Sequence, residues 1–177
     1  MRRIRARKSR QAMKAIKLIT VILLAVGLAG CGSKFKKYNG PEVTQVIVQK
    51  DERRLYLMHH NRVLKTYPVE LGFAPRGHKQ FEGDGKTPEG YYYIDRRNPN
   101  SKFHLSIGIS YPNPTDRAFA EANEKRPGGD IFIHGRPNAN PRDKRKDWTE
   151  GCISLKNRHM EWVYAMVNNG TPIILTP

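Results

Sequence analysis

The feature that most limits what this chain can fold into is a series of short apolar runs, rich in β-branched and aromatic residues. They are "VTQVIVQK" (43–50), "RRLYLMHH" (53–60), "RVLKTYPVELG" (62–72), "GYYYID" (90–95), "FHLSIGISYP" (103–112), "GDIFIHG" (129–135) and "TPIILTP" (171–177). The second run alternates at Leu55 and Leu57, and the third continues with Val63, Tyr67 and Val69. Gly, Pro, Asn and Asp fall between most runs, and "KDER" (50–53) suits a hairpin turn. Short strands separated by turn residues argue for a sandwich or barrel rather than a helical bundle.

Two segments break the pattern. "PTDRAFAEANEKRPGG" (114–129) predicts a short helix over Asp116–Lys125, stopped by the two glycines. "NRHMEWVYAMVNNG" (157–170) places Met160, Val163, Tyr164 and Val167 at i, i+3, i+4 and i+7. That spacing gives one apolar helical face, with Asn157 expected as its cap and Gly170 as its stop. The fold class expected is mainly β, a β-sandwich with two helical insertions.

The N-terminus sets the compartment. Residues 1–17 carry eight basic side chains and no acid, and "LITVILLAVGLAG" (18–30) is apolar throughout. A basic stretch before an apolar one of this length has the form of a signal peptide and is short for a membrane span. It ends in "LAGC", Leu28 to Cys31, which resembles a bacterial lipobox. The resemblance implies that residues 1–30 are removed, that Cys31 is lipidated, and that the protein sits in the periplasm on a lipid anchor. Gly32 is not the aspartate that retains lipoproteins at the inner membrane, which favours the outer membrane. An uncleaved membrane anchor is the alternative. "GSKFKKYNGPE" (32–42) reads as a polar tether, and residues 43–177 as one domain with enough chain for a core.

The whole chain has a formal charge of +16, and the leader's eight basic residues account for half of it. The remaining excess suits association with an anionic envelope polymer, or is a solvated basic surface. Nothing points to nucleic acid.

Only two cysteines are present, Cys31 and Cys152. A lipidated Cys31 carries a thioether and cannot pair with Cys152. Cys152 is then a lone thiol in an oxidising compartment, which suggests either chemistry or deep burial. The run "DIFIH" ends at His134, followed by Gly135. A loop rich in Pro, Asn and charge, 136–148, then returns to Thr149-Glu150-Gly151-Cys152. His134 and Cys152 thus stand at the two ends of one excursion. An imidazole beside a thiol can take its proton, and the sulfur can then attack a carbonyl. Gly151 would let substrate approach the backbone, and the N–H groups of Gly151 and Cys152 could bind an oxyanion. Spacing alone leaves two other readings open. Cys152 can be a small buried hydrophobe. It could also join His134 and the pair His59-His60 at zinc, although no Cys-x-x-Cys or His-x-x-x-His pattern supports a metal.

The block "IHG … TEGCI" resembles the signature of L,D-transpeptidase catalytic domains of the YkuD type. "GDGKTPEGYY" (83–92), "FHLSIGISYPN" (103–113), "PGGDIFIHG" (127–135) and "GTPIILTP" (170–177) agree with it, so the resemblance spans roughly residues 43–177. These blocks fit the branch that is similar to periplasmic Gram-negative members. It implies a YkuD-like β-sandwich with a mixed sheet. It implies Cys152 as nucleophile, His134 as base, and the Gly135 carbonyl as the group that orients the imidazole. Loop 136–148 and the 114–129 insertion would frame the cleft. The implied substrate is a peptidoglycan stem tetrapeptide. Its third residue would form a thioester with release of D-alanine, and an amine would resolve that thioester. The acceptor would be a neighbouring stem or a lysine-terminated lipoprotein. No cofactor or metal is required.

Two positions depart from the family pattern. Glu150 stands where many members have histidine. Ser154 stands where many have an arginine thought to hold a substrate carboxylate, so Thr149 and Ser154 are the remaining substrate-side candidates. The acceptor therefore stays open at this level. Water would make the protein an L,D-carboxypeptidase or an amidase releasing lipoprotein. A non-catalytic peptidoglycan-binding lipoprotein is a further alternative.

Overall fold

The computed structural model describes residues 33–177. The leader and Cys31 lie outside the described residues. Eight strands form one mixed sheet: β1 (Gln45–Gln49), β2 (Arg54–His59), β3 (Arg62–Pro68), β4 (Gly90–Asn98), β5 (Ser106–Ile109), β6 (Phe132–His134), β7 (Ile153–Ser154) and β8 (Pro172–Thr176). Their order is β3-β2-β1-β8-β4-β5-β6-β7. β1 pairs antiparallel with β2 and parallel with β8, and β6 pairs parallel with β7; the remaining neighbours are antiparallel. All seven expected strands form. β7 is additional, a two-residue strand directly after Cys152, too short to leave a periodic signal.

The chain beyond β3 brings the two ends of the sheet together. Glu70 and Ser154 exchange backbone hydrogen bonds of 2.9 and 2.8 Å, and Phe73 N–H donates to Thr149 O at 2.8 Å. The first and last strands in the order are thereby joined through residues 70–73. The curled sheet encloses alternating side chains: Val46, Val48, Leu55, Leu57, Tyr92, Ile94, Ile173 and Leu175 are all buried. Truncating one of these, as in Leu57→Ala, costs roughly 2–5 kcal/mol by lost transfer energy plus the cavity left behind.

Helix α1 (Pro114–Ala122) begins two residues earlier than expected and ends three earlier. Its start is a reciprocal cap: Asn113 Oδ1 accepts from Asp116 N at 3.0 Å, and Asp116 Oδ2 accepts from Asn113 N at 2.9 Å. Pro114 occupies the first turn, where its missing N–H costs nothing. Helix α2 (Asn157–Met166) buries Met160, Val163 and Met166, with Val167 buried just beyond, and lies against β5 and β6. Tyr164 is only partly buried, its ring 3.9 Å from the Arg97 guanidinium. The expected caps of α2 are not the observed ones. Lys156 is the N-cap, with no side-chain cap bond. At the other end Arg97 donates to the carbonyls of Tyr164 and Val167, so a cation from β4 closes the helix before Gly170 is reached.

The segment 35–42, expected as a tether, is partly laid down on the domain. Lys36 pairs with Glu161 of α2 at 3.3 Å, and the Phe35 and Tyr164 rings are 6.2 Å apart. Its two aromatics, Phe35 and Tyr38, make such contacts available to an otherwise polar stretch. Among the described residues no helix is long and apolar enough to cross a membrane.

Candidate active site

The parallel pairing of β6 with β7 sets the register Ile133 to Ile153 and His134 to Ser154. Strand alternation sends Ile133 and Ile153 into the core, where both are fully buried. The same alternation puts His134 and Ser154 on the opposite face, and the residue before β7, Cys152, shares that face. Thus the end of one excursion and the start of the next strand deliver an imidazole and a thiol to one place. Both line a cavity of about 660 Å³, together with Lys79, Asp130, Arg145 and Trp148. Arg145 and Trp148 come from loop 136–148, and Gly128 and Gly129 from the stretch after α1, so both segments expected to frame a cleft do so. A second cavity, of about 490 Å³, lies on Asn98, Ser101, Phe103, Phe132, His134 and Cys152. The His134–Cys152 pair therefore borders two clefts.

His134 is fixed by its own neighbour. Its Nδ1 lies 2.7 Å from Gly135 O, which requires the Nδ1–H tautomer and leaves Nε2 as the basic nitrogen. Gly135 is in turn held by its N–H, which donates to Phe103 O at 2.9 Å and to Leu105 O at 3.2 Å. Gly135 cannot carry a side chain: a Cβ there would stand 2.7 Å from Asn157 Oδ1 and 2.9 Å from Phe103 O. Phe103 and Trp148 pack against the imidazole, with ring centroids 4.5 and 5.8 Å away.

The thiol has two long contacts. Cys152 Sγ accepts from Phe132 N–H at 3.4 Å, and the S–H donates to Asp130 O at 3.4 Å. Burial pushes the Cys152 thiol up, more than the Phe132 N–H pulls it down. Burial likewise pushes the His134 imidazole down to about 4; the Gly135 carbonyl works the other way, and the nearby Arg136 charge adds to the depression. Among the described residues no carboxylate contacts the imidazole, so the resting pair is a neutral thiol and a neutral imidazole. That pair suits general-base chemistry, in which the proton moves as the sulfur attacks.

The turn before Cys152 is tied by Thr149. Its hydroxyl donates to Cys152 O at 2.6 Å and accepts from Gly151 N–H at 3.3 Å. Gly151 has φ +132°, and a Cβ there would meet Lys86 O at 2.6 Å. Glycine is obligatory on both counts. The Gly151 N–H, expected as an oxyanion donor, is turned to Thr149. Ser154, expected on the substrate side, is fully buried, and its hydroxyl donates to Gly135 O at 3.4 Å. Strand register explains this: the residue opposite His134 lies beneath the site. Ser154 and Thr149 thus support the two catalytic candidates from behind. His59 and His60 sit at the β2–β3 turn, with His59 Nδ1 bonded to Glu42 O at 2.8 Å, and neither borders the cavities at Cys152.

Three contributors have little sequence signal. Trp148 and Phe103 form the walls of the imidazole slot; the one hint is a tryptophan inside the charged run "KRKDW". Asp147 anchors the returning loop, accepting from Arg53 Nε at 2.9 Å, Arg53 Nη2 at 2.8 Å and Leu71 N–H at 3.0 Å. Burial opposes ionisation of Asp147, but the Arg53 fork and the Leu71 N–H prevail and hold its carboxyl below the usual range.

Comparison with known proteins agrees with this arrangement. The model of the YkuD L,D-transpeptidase catalytic domain matches residues 44–175. Escherichia coli YafK, named as an L,D-transpeptidase, is 30% identical over 174 residues, covering 88% of this chain and 64% of the relative. Bacillus licheniformis YkuD, also named as an L,D-transpeptidase, is 29% identical over 133 residues, covering 75% of this chain and 66% of the relative. Among solved structures, the helical cell shape determining protein Pgp2 from Campylobacter jejuni is similar, with a TM-score of 0.61 and 26% identity over 82% of this chain and 51% of that one. Bd1075 of Bdellovibrio bacteriovorus shares the fold, with a TM-score of 0.54 and 22% identity over 80% of this chain and 50% of that one. This chain thus spans under two thirds of the length of YafK and about half of the two structures. On the family match over most of its length, and on the fold it shares with these structures, the chain belongs to the YkuD family of L,D-transpeptidase catalytic domains.

Proposed function

We propose that this protein is a peptidoglycan L,D-transpeptidase working through a thioester on Cys152. His134 Nε2 takes the thiol proton as sulfur adds to the carbonyl of the third stem residue. The resulting oxyanion is met by the Cys152 N–H, since the Gly151 N–H is engaged by Thr149. Collapse expels terminal D-alanine, whose amine takes the proton from His134. An acceptor amine then attacks the thioester, giving up a proton to His134 and releasing Cys152.

One observation carries the choice of transfer over hydrolysis: Cys152 and His134 border two clefts at once. An acyl donor can occupy one while an acceptor enters from the other. The acceptor is a second stem peptide, or the terminal lysine of an envelope lipoprotein. The Campylobacter relative is a determinant of helical cell shape, and a role in cell shape by remodelling cross-links fits the same chemistry. The lipobox at Cys31 supports placement in the periplasm on a lipid anchor, at the outer membrane. Acyl modification persisting in a Cys31→Ala protein would refute that anchor.

The test of the reaction is incubation with tetrapeptide muropeptide, with and without an amine acceptor, followed by mass spectrometry. D-alanine release with a dimeric or amine-exchanged product is expected, and none with Cys152→Ala. Release without exchange in the presence of amine would make the protein a hydrolase. No change in the muropeptide would leave a binding protein.

A further inference from the structure

The lipid anchor proposed at Cys31 limits where a bilayer can meet the domain. Phe35 stands four residues after Cys31, and four residues span at most about 14 Å when fully extended. From Phe35 the chain is already laid on α2. Lys36 Nζ is 3.3 Å from Glu161 Oε2, and the Phe35 and Tyr164 rings are 6.2 Å apart. An acylated Cys31 would therefore hold the side of the domain that carries α2 close to the membrane.

That side has the chemistry of a membrane interface. Phe35 is 51% exposed and Trp162 37%. Trp162 and Arg158 are four residues apart on α2, hence on one ridge, and both are exposed, while Met160, Val163 and Met166 turn the helix to the core. Lys36 and Lys37 follow Phe35 and are exposed as well. The Glu161 carboxylate is already held, by Lys36 and by His104 Nε2 at 3.1 Å. Among the described residues, no carboxylate lies within ion-pair distance of Lys37 or Arg158. Aromatic rings settle at the boundary of headgroups and acyl chains, and cations beside them meet lipid phosphates.

We infer that the protein lies on an anionic bilayer through this face, with Phe35 and Trp162 in the interface and Lys37 and Arg158 on lipid phosphates. The inference rests on the anchor at Cys31. A lipid anchor alone sets a distance; this face adds an orientation. The orientation extends to the active site, because His104, bound to Glu161, follows Phe103, and Phe103 borders both clefts. Two neighbouring residues thus link the docked face to the rim of the clefts. The stem peptides within reach are then those of the wall layer next to this membrane.

The experiment uses the acylated protein in vesicles of phosphatidylethanolamine and phosphatidylglycerol, with acyl chains brominated near the headgroup. Bromine there quenches a tryptophan at the interface. The chain has two tryptophans, Trp148 and Trp162. Trp148 packs on His134 in the cleft and serves as the internal reference. Part of the emission is expected to be lost on brominated lipid. Trp162→Phe should abolish that loss, leaving equal emission on brominated and unbrominated vesicles. Lys37→Glu with Arg158→Glu should weaken the quenching, and both changes leave the buried side of α2 intact. Mass spectrometry of the same sample separates the two readings. No acyl mass at Cys31 refutes the anchor, and the docked face with it. Acylated protein without quenching, or with quenching that Trp162→Phe does not remove, overturns the docked face alone. Quenching that survives the charge reversal undiminished does the same.

Discussion

His134 Nδ1 is hydrogen-bonded at 2.7 Å to the carbonyl oxygen of Gly135, the very next residue in the chain. A carbonyl orients an imidazole but does not carry the charge that would stabilise an imidazolium. With the ring buried, the neutral form is strongly favoured. Much of the behaviour of the site follows from using a dipole where a carboxylate could have stood.

The first consequence concerns the thiol. Because neither partner is charged at rest, Cys152 should show no thiolate near neutral pH. Its alkylation by iodoacetamide should rise steadily with pH through the ordinary thiol range and beyond. A rate that levels off below neutrality would mean a preformed thiolate–imidazolium pair instead.

Stability should follow the imidazole. The folded protein holds His134 at about 4, whereas the unfolded chain has it near 6.5. Between those values the unfolded state binds the extra proton, so stability is full above about 6.5 and is lost as pH falls toward 4. The shift corresponds to on the order of 3 kcal/mol. Denaturant unfolding across this range, compared with His134→Gln, isolates the contribution. Equal slopes in the two proteins would contradict the neutral buried ring.

Gly135→Ala should be damaging despite keeping the carbonyl. The backbone there is not in the left-handed region, but the added methyl meets Asn157 Oδ1 and Phe103 O inside 3 Å. Either β6 shifts or Asn157 releases Arg136. Loss of most turnover with a lowered melting temperature is expected. Near-normal values in both would show that the slot has slack.

Thr149 tests the turn. Thr149→Val keeps the shape and removes the hydroxyl that accepts from Gly151 and donates to Cys152. Leaving such buried groups unpaired costs about 1–3 kcal/mol each. Thr149→Ser should restore both stability and activity. If valine and serine behave alike, the hydroxyl has no part in holding Cys152.

Cys152→Ala should fold normally, since the thiol makes only two 3.4 Å contacts, and should be inactive. His134→Ala should also lose most activity, general acid–base help being worth roughly 10²–10⁴. The double variant should be little worse than either single one, because the pair acts as a unit. Kinetics and melting curves on the three proteins separate this from a structural role for the cysteine.

The sequence by itself determined seven of the eight strands, the two helices and the catalytic candidates. Period-two alternation in Val46–Val48 and Leu55–Leu57, and helical spacing in Met160–Val163, arise from local geometry and survive in any context. Cys152 and His134 were legible because the blocks around them resemble the YkuD-type signature; their spacing alone left burial and a zinc site open. The roles of their neighbours were not. Ser154 was expected to face substrate, yet the parallel register of β6 and β7 puts it under Gly135. Asn157 was expected to cap a helix, yet it spends its carbonyl on Arg136, twenty-one residues earlier. Gly151 kept its conformational freedom but not its free N–H. Trp148 and Phe103 meet across His134 only because the curled sheet returns the chain to residues 70–73. The Gly151 N–H meets Thr149 only two residues back, but the partners of Ser154, Asn157, Trp148 and Phe103 come from segments far away in the sequence. That is a long-range pairing decided by the burial of the whole sheet, which no short stretch of sequence encodes.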